Sequence, residues 1–286
     1  MPELPEVQTV VNDLKNKVIG RKIVSVWVGA PGLVKKGTVE RLKKELIGRK
    51  ILNVDRRAKN ILFYLSGESV LLVHLKMTGH FLYKKAAGQG IAEDKDFEES
   101  EYIRFALCLD NGKILTLSDL RKFANIIFFD REEEAGNYLK LFGPDALEIN
   151  IDDFVRFIRK KRSRIKPLLM DQSALAGIGN IYSDEILYRA KVHPLERADK
   201  LTDAEIKKIY SAMRTILSEA IKKRGTSVSD FRDIAGQEGH YEEKLLVYGR
   251  EGLPCLAKDG RIVRIKIAGR SAYFCPVEQK LKKQNK

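Results

Sequence analysis

The chain has 286 residues, 44% of them hydrophobic, and 53 Lys and Arg against 39 Asp and Glu give it a formal net charge of +14 and a pI near 9.5. That length supports about two domains of ~150 residues each, and the basic excess points to an acidic partner, nucleic acid before an anionic membrane surface. An apolar run near the ~18 residues of a spanning helix, an apolar signal region and a disulfide framework are all missing; Cys108, Cys255 and Cys275 are the only cysteines, so the expectation is a reducing, cytoplasmic setting and no membrane.

The chain opens Met1-Pro2-Glu3-Leu4-Pro5-Glu6. One reading is an ordinary helix start, with Pro5 in the first turn and Glu6 beside the positive helix end. The other is chemical. With Met1 removed, Pro2 is a free secondary amine next to a carboxylate. Attack by that amine on an electrophilic sugar carbon gives an iminium, an electron sink, and Glu3 can move protons as it forms and collapses. Behind it, Val7, Val10, Val11, Leu14 and Val18 keep helical spacing up to Gly20. A helix buried along that face would hold Pro2 and Glu3 rigidly at its N-terminus, where the dipole also favours phosphate.

Residues 22–28, 51–54, 61–65, 70–75, 102–109, 113–117 and 125–129 then read as strands, separated by turns such as Ser66-Gly67 and Asp110-Asn111-Gly112. They predict an antiparallel sandwich or barrel, and the acidic stretch 93–101 reads as a solvated loop. From residue 150 the pattern turns helical, over 152–160, 180–189 and 202–224. The last of these has a Thr202-x-x-Glu205 capping box and a stop at Gly225. The tail 245–279 returns to β, with Val263, Ile265 and Ile267 alternating with Arg264 and Lys266 before a turn at Ala268-Gly269-Arg270. That is a hairpin with Arg270 near its tip. The fold class is therefore α+β: a sandwich with an N-terminal helix over 1–134, a helical domain over 135–244, and a C-terminal hairpin over 245–286.

Two features of the helical part suggest a nucleic-acid clamp. Residues 156–166 hold seven Lys or Arg among eleven. Soon after comes Gly177-Ile178-Gly179-Asn180-Ile181-Tyr182, a Gly-rich turn opening a helix, whose N–H groups and Asn180 side chain could grip a phosphate. Together they read as a helix–two-turn–helix.

MPELPEV at 1–7, RRAK at 56–59, HLKMTG at 74–79, RKF at 121–123, GIGNIYSDE at 177–185, VYGREGLPC at 247–255 and GRSAYFCP at 269–276 jointly resemble the formamidopyrimidine-DNA glycosylase (Fpg) family, which shares its fold with endonuclease VIII. The resemblance implies a bifunctional DNA glycosylase/AP lyase of base-excision repair, a monomer acting on double-stranded DNA with oxidised bases or abasic sites, nucleoid-associated if bacterial. It implies excision of oxidised purines (8-oxoguanine, formamidopyrimidines) through a Pro2 Schiff base, with β,δ-elimination. Pro2 would be the nucleophile at C1′, Glu3 the proton donor to the sugar ring oxygen, Glu6 a support, and Lys59 the cation beside the lesion phosphate. Met77, Arg121 and Phe123 would fill the space left by the everted base, with Arg121 on the orphaned cytosine. Lys166, Asn180, Tyr182 and Arg270 would hold DNA, and residues 226–241 would lie where the family caps the lesion. The family's Asp-Pro-Arg-Arg-Phe-Gly reads Asp119-Leu120-Arg121-Lys122-Phe123-Ala124 here, which would reshape that loop. Leu4 favours the oxidised-purine branch. The alternatives are an endonuclease VIII-like preference for oxidised pyrimidines and a non-catalytic lesion- or abasic-site binder.

The hairpin departs from the family. Its zinc is held by two Cys-x2-Cys pairs, whereas Cys255-Leu-Ala-Lys258 and Cys275-Pro-Val-Glu278 keep one Cys each. A tetrahedral site needs four donors and a protonated lysine is none, so no zinc is expected. Leu253, Leu256, Val263, Ile265, Ile267 and Tyr273 are candidates for an apolar cluster in its place, and Lys258 with Glu278 for an ion pair.

Overall fold

The structure is a computed structural model that describes residues 1–85, 97, 101–228, 231–257 and 260–282. Most of the acidic stretch 93–101 and Lys258, with its expected ion pair, lie outside the described residues. The described chain forms two compact units, Met1–Leu141 with Lys223–Glu242, and Phe142–Lys222 with Glu243–Lys286.

The first unit begins with helix α1, Leu4–Val18, whose Val7, Val10, Val11, Leu14 and Val18 are all buried. Two four-stranded antiparallel sheets follow. One orders β1 (Ile23–Val28), β6 (Ile103–Leu109), β7 (Lys113–Ser118) and β5 (His80–Lys85); the other orders β2 (Ile51–Arg57), β3 (Asn60–Leu65), β4 (Ser69–His74) and β8 (Asn125–Phe129). Phe63, Leu71, Phe81, Phe105 and Leu117 from the two sheets share one apolar cluster with the buried stripe of α1. Alternation along each strand puts these residues on inner faces.

Among the described residues of this unit, two α-helices and one strand escaped the sequence reading. Helix α2 (Val39–Leu46) buries only Leu42 and Leu46 and is otherwise mostly charged; its start is fixed by Thr38, which accepts the Arg41 N–H. Helix α3 (Glu132–Leu139) buries only Ala135. Strand β5 ends in two exposed lysines and buries only Phe81 fully. Each carries too few apolar positions for a period to be read.

The segment Lys223–Glu242 belongs to the first unit and not, as the boundary at 244 supposed, to the helical one. Its Phe231 and Ile234 are buried in the cluster with α1, and the Tyr83 N–H on β5 donates to the Ile234 carbonyl at 2.8 Å. Apolar burial and a strand-edge hydrogen bond decide where the segment packs.

The second unit contains α4 (Ile151–Arg159), α5 (Ile165–Met170), α6 (Asn180–Ala190), α7 (Asp203–Lys222) and the hairpin β9 (Val263–Ile267) and β10 (Arg270–Phe274). Asn150 caps α4 by accepting the Asp153 N–H, and Thr202 and Glu205 form the expected box at α7. Helix α7 stops at Lys222, two residues short of the predicted end, because Arg224 and Gly225 both have left-handed backbone (φ 63° and 80°). The hairpin is not a separate domain. Glu185 of α6 accepts the N–H groups of Leu246, Val247 and Tyr248, each at 2.9 Å, and Asp184 accepts that of Tyr273.

Candidate active site

Helix α1 presents the N-terminal dipeptide. Pro2 is buried ahead of it, and Glu3 is its N-cap. The Glu6 carboxylate is buried and bridges two elements: Oε2 accepts the Glu3 N–H and Oε1 the Thr226 N–H, both at 2.8 Å. Gly225 is obligatory here, since a Cβ on it would sit 2.7 Å from Glu6 Oε1 and its φ is +80°.

Lys59 lies in the two-residue turn between β2 and β3, after Ala58 with φ 57°. Arg56 holds that turn to α1: its Nε donates to Gln8 Oε1 at 2.7 Å and a terminal nitrogen donates to the Ala58 carbonyl at 2.9 Å. Lys59 itself is buried. The neighbouring His74 is kept neutral, its pKa pushed down to about 3 by burial and by the charges of Lys76 and Lys59.

Met77, Arg121 and Phe123 come together as the sequence expected, all exposed. The Arg121 guanidinium lies 4.5 Å from the Phe123 ring centroid and donates to Met77 Sδ at 3.1 Å. Their loops are fastened from beneath by Asp119, fully buried, which accepts the Thr78 hydroxyl and the Arg121 and Ala124 N–H groups. Gly79 closes the first loop, where a Cβ would meet the Leu75 carbonyl at 2.5 Å. Although the loop lacks the family's Pro and Gly, Asp119 supplies its shape; Lys122 takes left-handed φ (56°) and Ala124 is buried.

In the second unit, the turn before α6 is stapled by Gln172, whose side chain accepts the Gly177 N–H at 2.9 Å and donates to the Ile178 carbonyl at 2.7 Å. Asn180 is the first residue of α6, its side-chain oxygen buried without a hydrogen-bond partner. Ala268 and Gly269, with φ 47° and 79°, form the two-residue turn that leaves Arg270 exposed beside the hairpin tip.

Two expected DNA-binding residues are placed elsewhere. Lys166 on α5 is only 1% exposed; its ammonium donates to Asp184 Oδ1 at 2.6 Å and to the Ser271 carbonyl at 2.8 Å. Tyr182 is enclosed completely. Both side chains are therefore packed inside the unit. The partners that sequence reasoning missed, Asp184 and Glu185, end the GIGNIYSDE motif. Their signal was two adjacent carboxylates set among Ile181, Tyr182, Ile186, Leu187 and Tyr188 of one helix. Burial pushes both carboxyls up, Asp184 to about 7 against the pull of Lys166.

At the hairpin base, donor atoms of Cys255, Cys275 and Glu278 lie within 4.8 Å of one another. This set does not fit a closed four-donor zinc site. Among the described residues it offers three donors, and Glu278 Oε1 already accepts the Tyr188 hydroxyl at 2.6 Å while Lys191 Nζ stands 3.8 Å from Oε2. The Tyr188 oxygen also accepts the Leu256 N–H at 3.0 Å, and burial together with Glu278 pushes its pKa up. The apolar cluster here is Tyr188, Val247, Cys255, Ile262 and Cys275, with Tyr273 against it. Leu253 and Leu256, expected to belong to it, are exposed, because the turn that carries them faces outward.

Comparisons with known proteins place the chain in a family. The family model described as the formamidopyrimidine-DNA glycosylase N-terminal domain matches residues 1–126, and that of the formamidopyrimidine-DNA glycosylase H2TH domain matches residues 142–232. The chain is 41% identical to the formamidopyrimidine-DNA glycosylase of Pelotomaculum thermopropionicum, covering 99% of this chain and 100% of the relative. It is 39% identical to that of Heliobacterium modesticaldum, covering 98% and 100%. Among solved structures, Lactococcus lactis Fpg in complex with an abasic-site-containing DNA matches with a TM-score of 0.88 at 31% identity, over 98% of this chain and 100% of that one. A complex between a mutant of the same Lactococcus lactis enzyme and a Fapy-dG-containing DNA matches equally well. Among the described residues, no helix is long and apolar enough to cross a membrane.

Proposed function

The chain belongs to the formamidopyrimidine-DNA glycosylase family, and we propose that it is a base-excision-repair glycosylase/AP lyase for oxidised purines in duplex DNA, working as a monomer. The observation that carries this reading is the placement of Pro2 and Glu3 at the start of a buried helix, with Glu6 locked onto the Glu3 N–H.

After removal of Met1, the Pro2 amine attacks C1′ of the everted nucleotide. The bond from C1′ to the base breaks, and Glu3 protonates the ring oxygen as the sugar opens, leaving a C1′ iminium on Pro2. That iminium makes the 2′ hydrogens acidic. Loss of one expels the 3′ phosphate by β-elimination, and δ-elimination then expels the 5′ phosphate. Hydrolysis of the resulting conjugated iminium frees Pro2. Lys59 pairs with the phosphate beside the lesion. Met77, Arg121 and Phe123 occupy the vacated stack, which offsets the few kcal/mol of unstacking. Asn180 and Arg270 grip the backbone, and residues 226–241 contact the everted base. Lys166 and Tyr182 support the DNA-binding turn and hairpin from inside.

No resident zinc takes part in this reading. The Tyr188–Glu278 hydrogen bond holds the hairpin base, together with Gln279, which accepts the Cys275 N–H and donates to the Val192 carbonyl.

Borohydride trapping on an 8-oxoguanine:C duplex, with metal analysis of the same sample, tests both parts. We expect a covalent adduct that maps to the N-terminal residue, loss of trapping in Pro2→Gly, and less than stoichiometric zinc. An adduct mapped to another residue sinks the mechanism, and one tightly held zinc per chain sinks the zincless hairpin.

A further inference from the structure

The segment that returns to the first unit is fastened by an arginine with an unfavourable backbone. Arg224 has φ 63°, a conformation that suits glycine and is uncommon for any residue with a Cβ. It stands immediately before Gly225, which is left-handed too. The side chain offsets that cost. One guanidinium nitrogen donates to Asp13 Oδ1 at 3.2 Å, a second donates to both Asp13 Oδ2 and Asp233 Oδ2 at 2.5 Å, and Nε donates to Asp233 Oδ2 at 3.1 Å. This is a planar fork used on two carboxylates at once, which an ammonium could not reproduce.

Each carboxylate belongs to a different element. Asp13 sits on α1, the helix that presents Pro2 and Glu3. Asp233 is buried in the returning segment, and its other oxygen accepts the Ala235 and Gln237 N–H groups, both at 2.9 Å. Arg224 thus ties a turn of the segment to the middle of α1. One residue beyond Gly225, the Thr226 N–H meets Glu6, whose other oxygen holds the Glu3 N–H. The opposite strand of the segment is close as well, since a Cβ on Gly239 would sit 2.3 Å from the Gly225 carbonyl. Small shifts at residue 224 would therefore reach the segment, while Glu6 keeps its own hydrogen bond from the Glu3 N–H at the start of α1.

We propose that Arg224 is a specificity-positioning residue: clamped between Asp13 and Asp233, it sets the register of Thr226 and of residues 231–241 against α1, and so governs excision of a damaged base without governing strand cleavage where no base is present. The inference rests on the reading of that segment as the part that contacts the everted base. Arg224 bonds to neither Pro2, Glu3 nor Lys59 in the contacts above, so the chemistry at C1′ is left to them.

The test compares two substrates, an 8-oxoguanine:C duplex and an abasic-site:C duplex, with rates normalised to the trappable fraction of each preparation. Arg224→Gly is the informative variant, because glycine relieves the left-handed backbone while deleting the clamp. We expect kcat/KM on 8-oxoguanine to fall about tenfold and cleavage at the abasic site to stay within about twofold, which isolates an interaction made only with a base present. Asp13→Asn, which weakens the clamp from the helix side, should reproduce the pattern at smaller amplitude, and Arg224→Lys should not rescue it. A parallel loss on both substrates, or no change on either, overturns the inference while leaving the glycosylase reading intact. If the unaltered protein cleaves neither duplex, both fall together.

Discussion

In the first unit, the buried carboxylates Glu6, Asp119 and Asp233 accept loop N–H groups, and the side chains those loops display, such as Met77, Arg121 and Phe123, remain exposed. In the second unit, the motif residues themselves go inside: Lys166, Tyr182, Asp184 and Glu185 are all buried, Asn180 is half-buried, and Arg270 is exposed. The same physical need lies behind both arrangements. A loop that must hold a shape without covering its working side chains needs acceptors for its N–H groups beneath it. The difference is in what the buried charge fastens. Asp119 fastens a loop to the sheets below it, whereas the Lys166–Asp184 pair joins two helices and a hairpin strand through Ser271 and Tyr273.

The largest effect that could break this comparison comes from Lys166→Met. Removing one partner leaves Asp184 buried without its cation, and breaking a buried pair of this kind costs about 3–5 kcal/mol. We expect a clear fall in the urea midpoint, largely recovered in Lys166→Met combined with Asp184→Leu. If the single variant instead keeps its midpoint and loses only affinity for duplex DNA, Lys166 returns to the DNA-contacting role that the basic run suggested.

The burial of Lys166 shows where sequence reading stops. The sandwich, α1, the capping box at Thr202 and the hairpin turn at Ala268-Gly269 were legible, because each rests on a local period or a local turn requirement. So was the gathering of Met77, Arg121 and Phe123, by resemblance. The burial of Lys166 is not legible, because it depends on Asp184 and Ser271, neither of which is near it along the chain. The return of Phe231 and Ile234 to the first unit is a long-range packing decision of the same sort. Arg224 was passed over as part of the preceding helix, since nothing in its neighbours announces a left-handed residue held by Asp13.

pH sharpens the contrast at intermediate amplitude, because His74 in the first unit and Asp184 in the second respond with opposite sign. His74 has its folded-state pKa pushed down to about 3, below the ordinary value of 6.5. Between those values the unfolded chain binds a proton that the folded chain refuses, so stability falls as pH falls through that window. Asp184 has its folded-state pKa raised to about 7 from 3.8. There the folded chain binds the extra proton, and the contribution to stability rises as pH falls from about 7 towards 4. At pH 5 the His74 contribution is about 1–2 kcal/mol against the first unit. His74→Asn keeps an acceptor for the Lys76 N–H, at 2.9 Å in the structure, and cannot titrate. Urea midpoints at pH 7.5 and 5 should therefore differ less in this variant than in the parent. An equal or larger difference would show that His74 is charged in the folded chain.

The smallest effect on stability is expected at Phe123, and it is the most direct check that the first unit separates display from support. The ring is 47% exposed, packed on the Arg121 guanidinium, and its loop is held by Asp119 through backbone groups that a side-chain truncation leaves alone. Phe123→Ala should therefore change unfolding free energy by no more than about 0.5 kcal/mol, as surface substitutions away from caps and cores do. Its effect on DNA should be much larger. An aromatic face offered to a base is worth about 1–3 kcal/mol per stacked base, so excision from an 8-oxoguanine:C duplex should slow about tenfold or more. A Phe123→Ala protein that unfolds early would mean the ring supports the loop after all, and would place it with Tyr182 as structure. One that stays folded but slows excision would leave the two units doing opposite things with their largest aromatic motif residues.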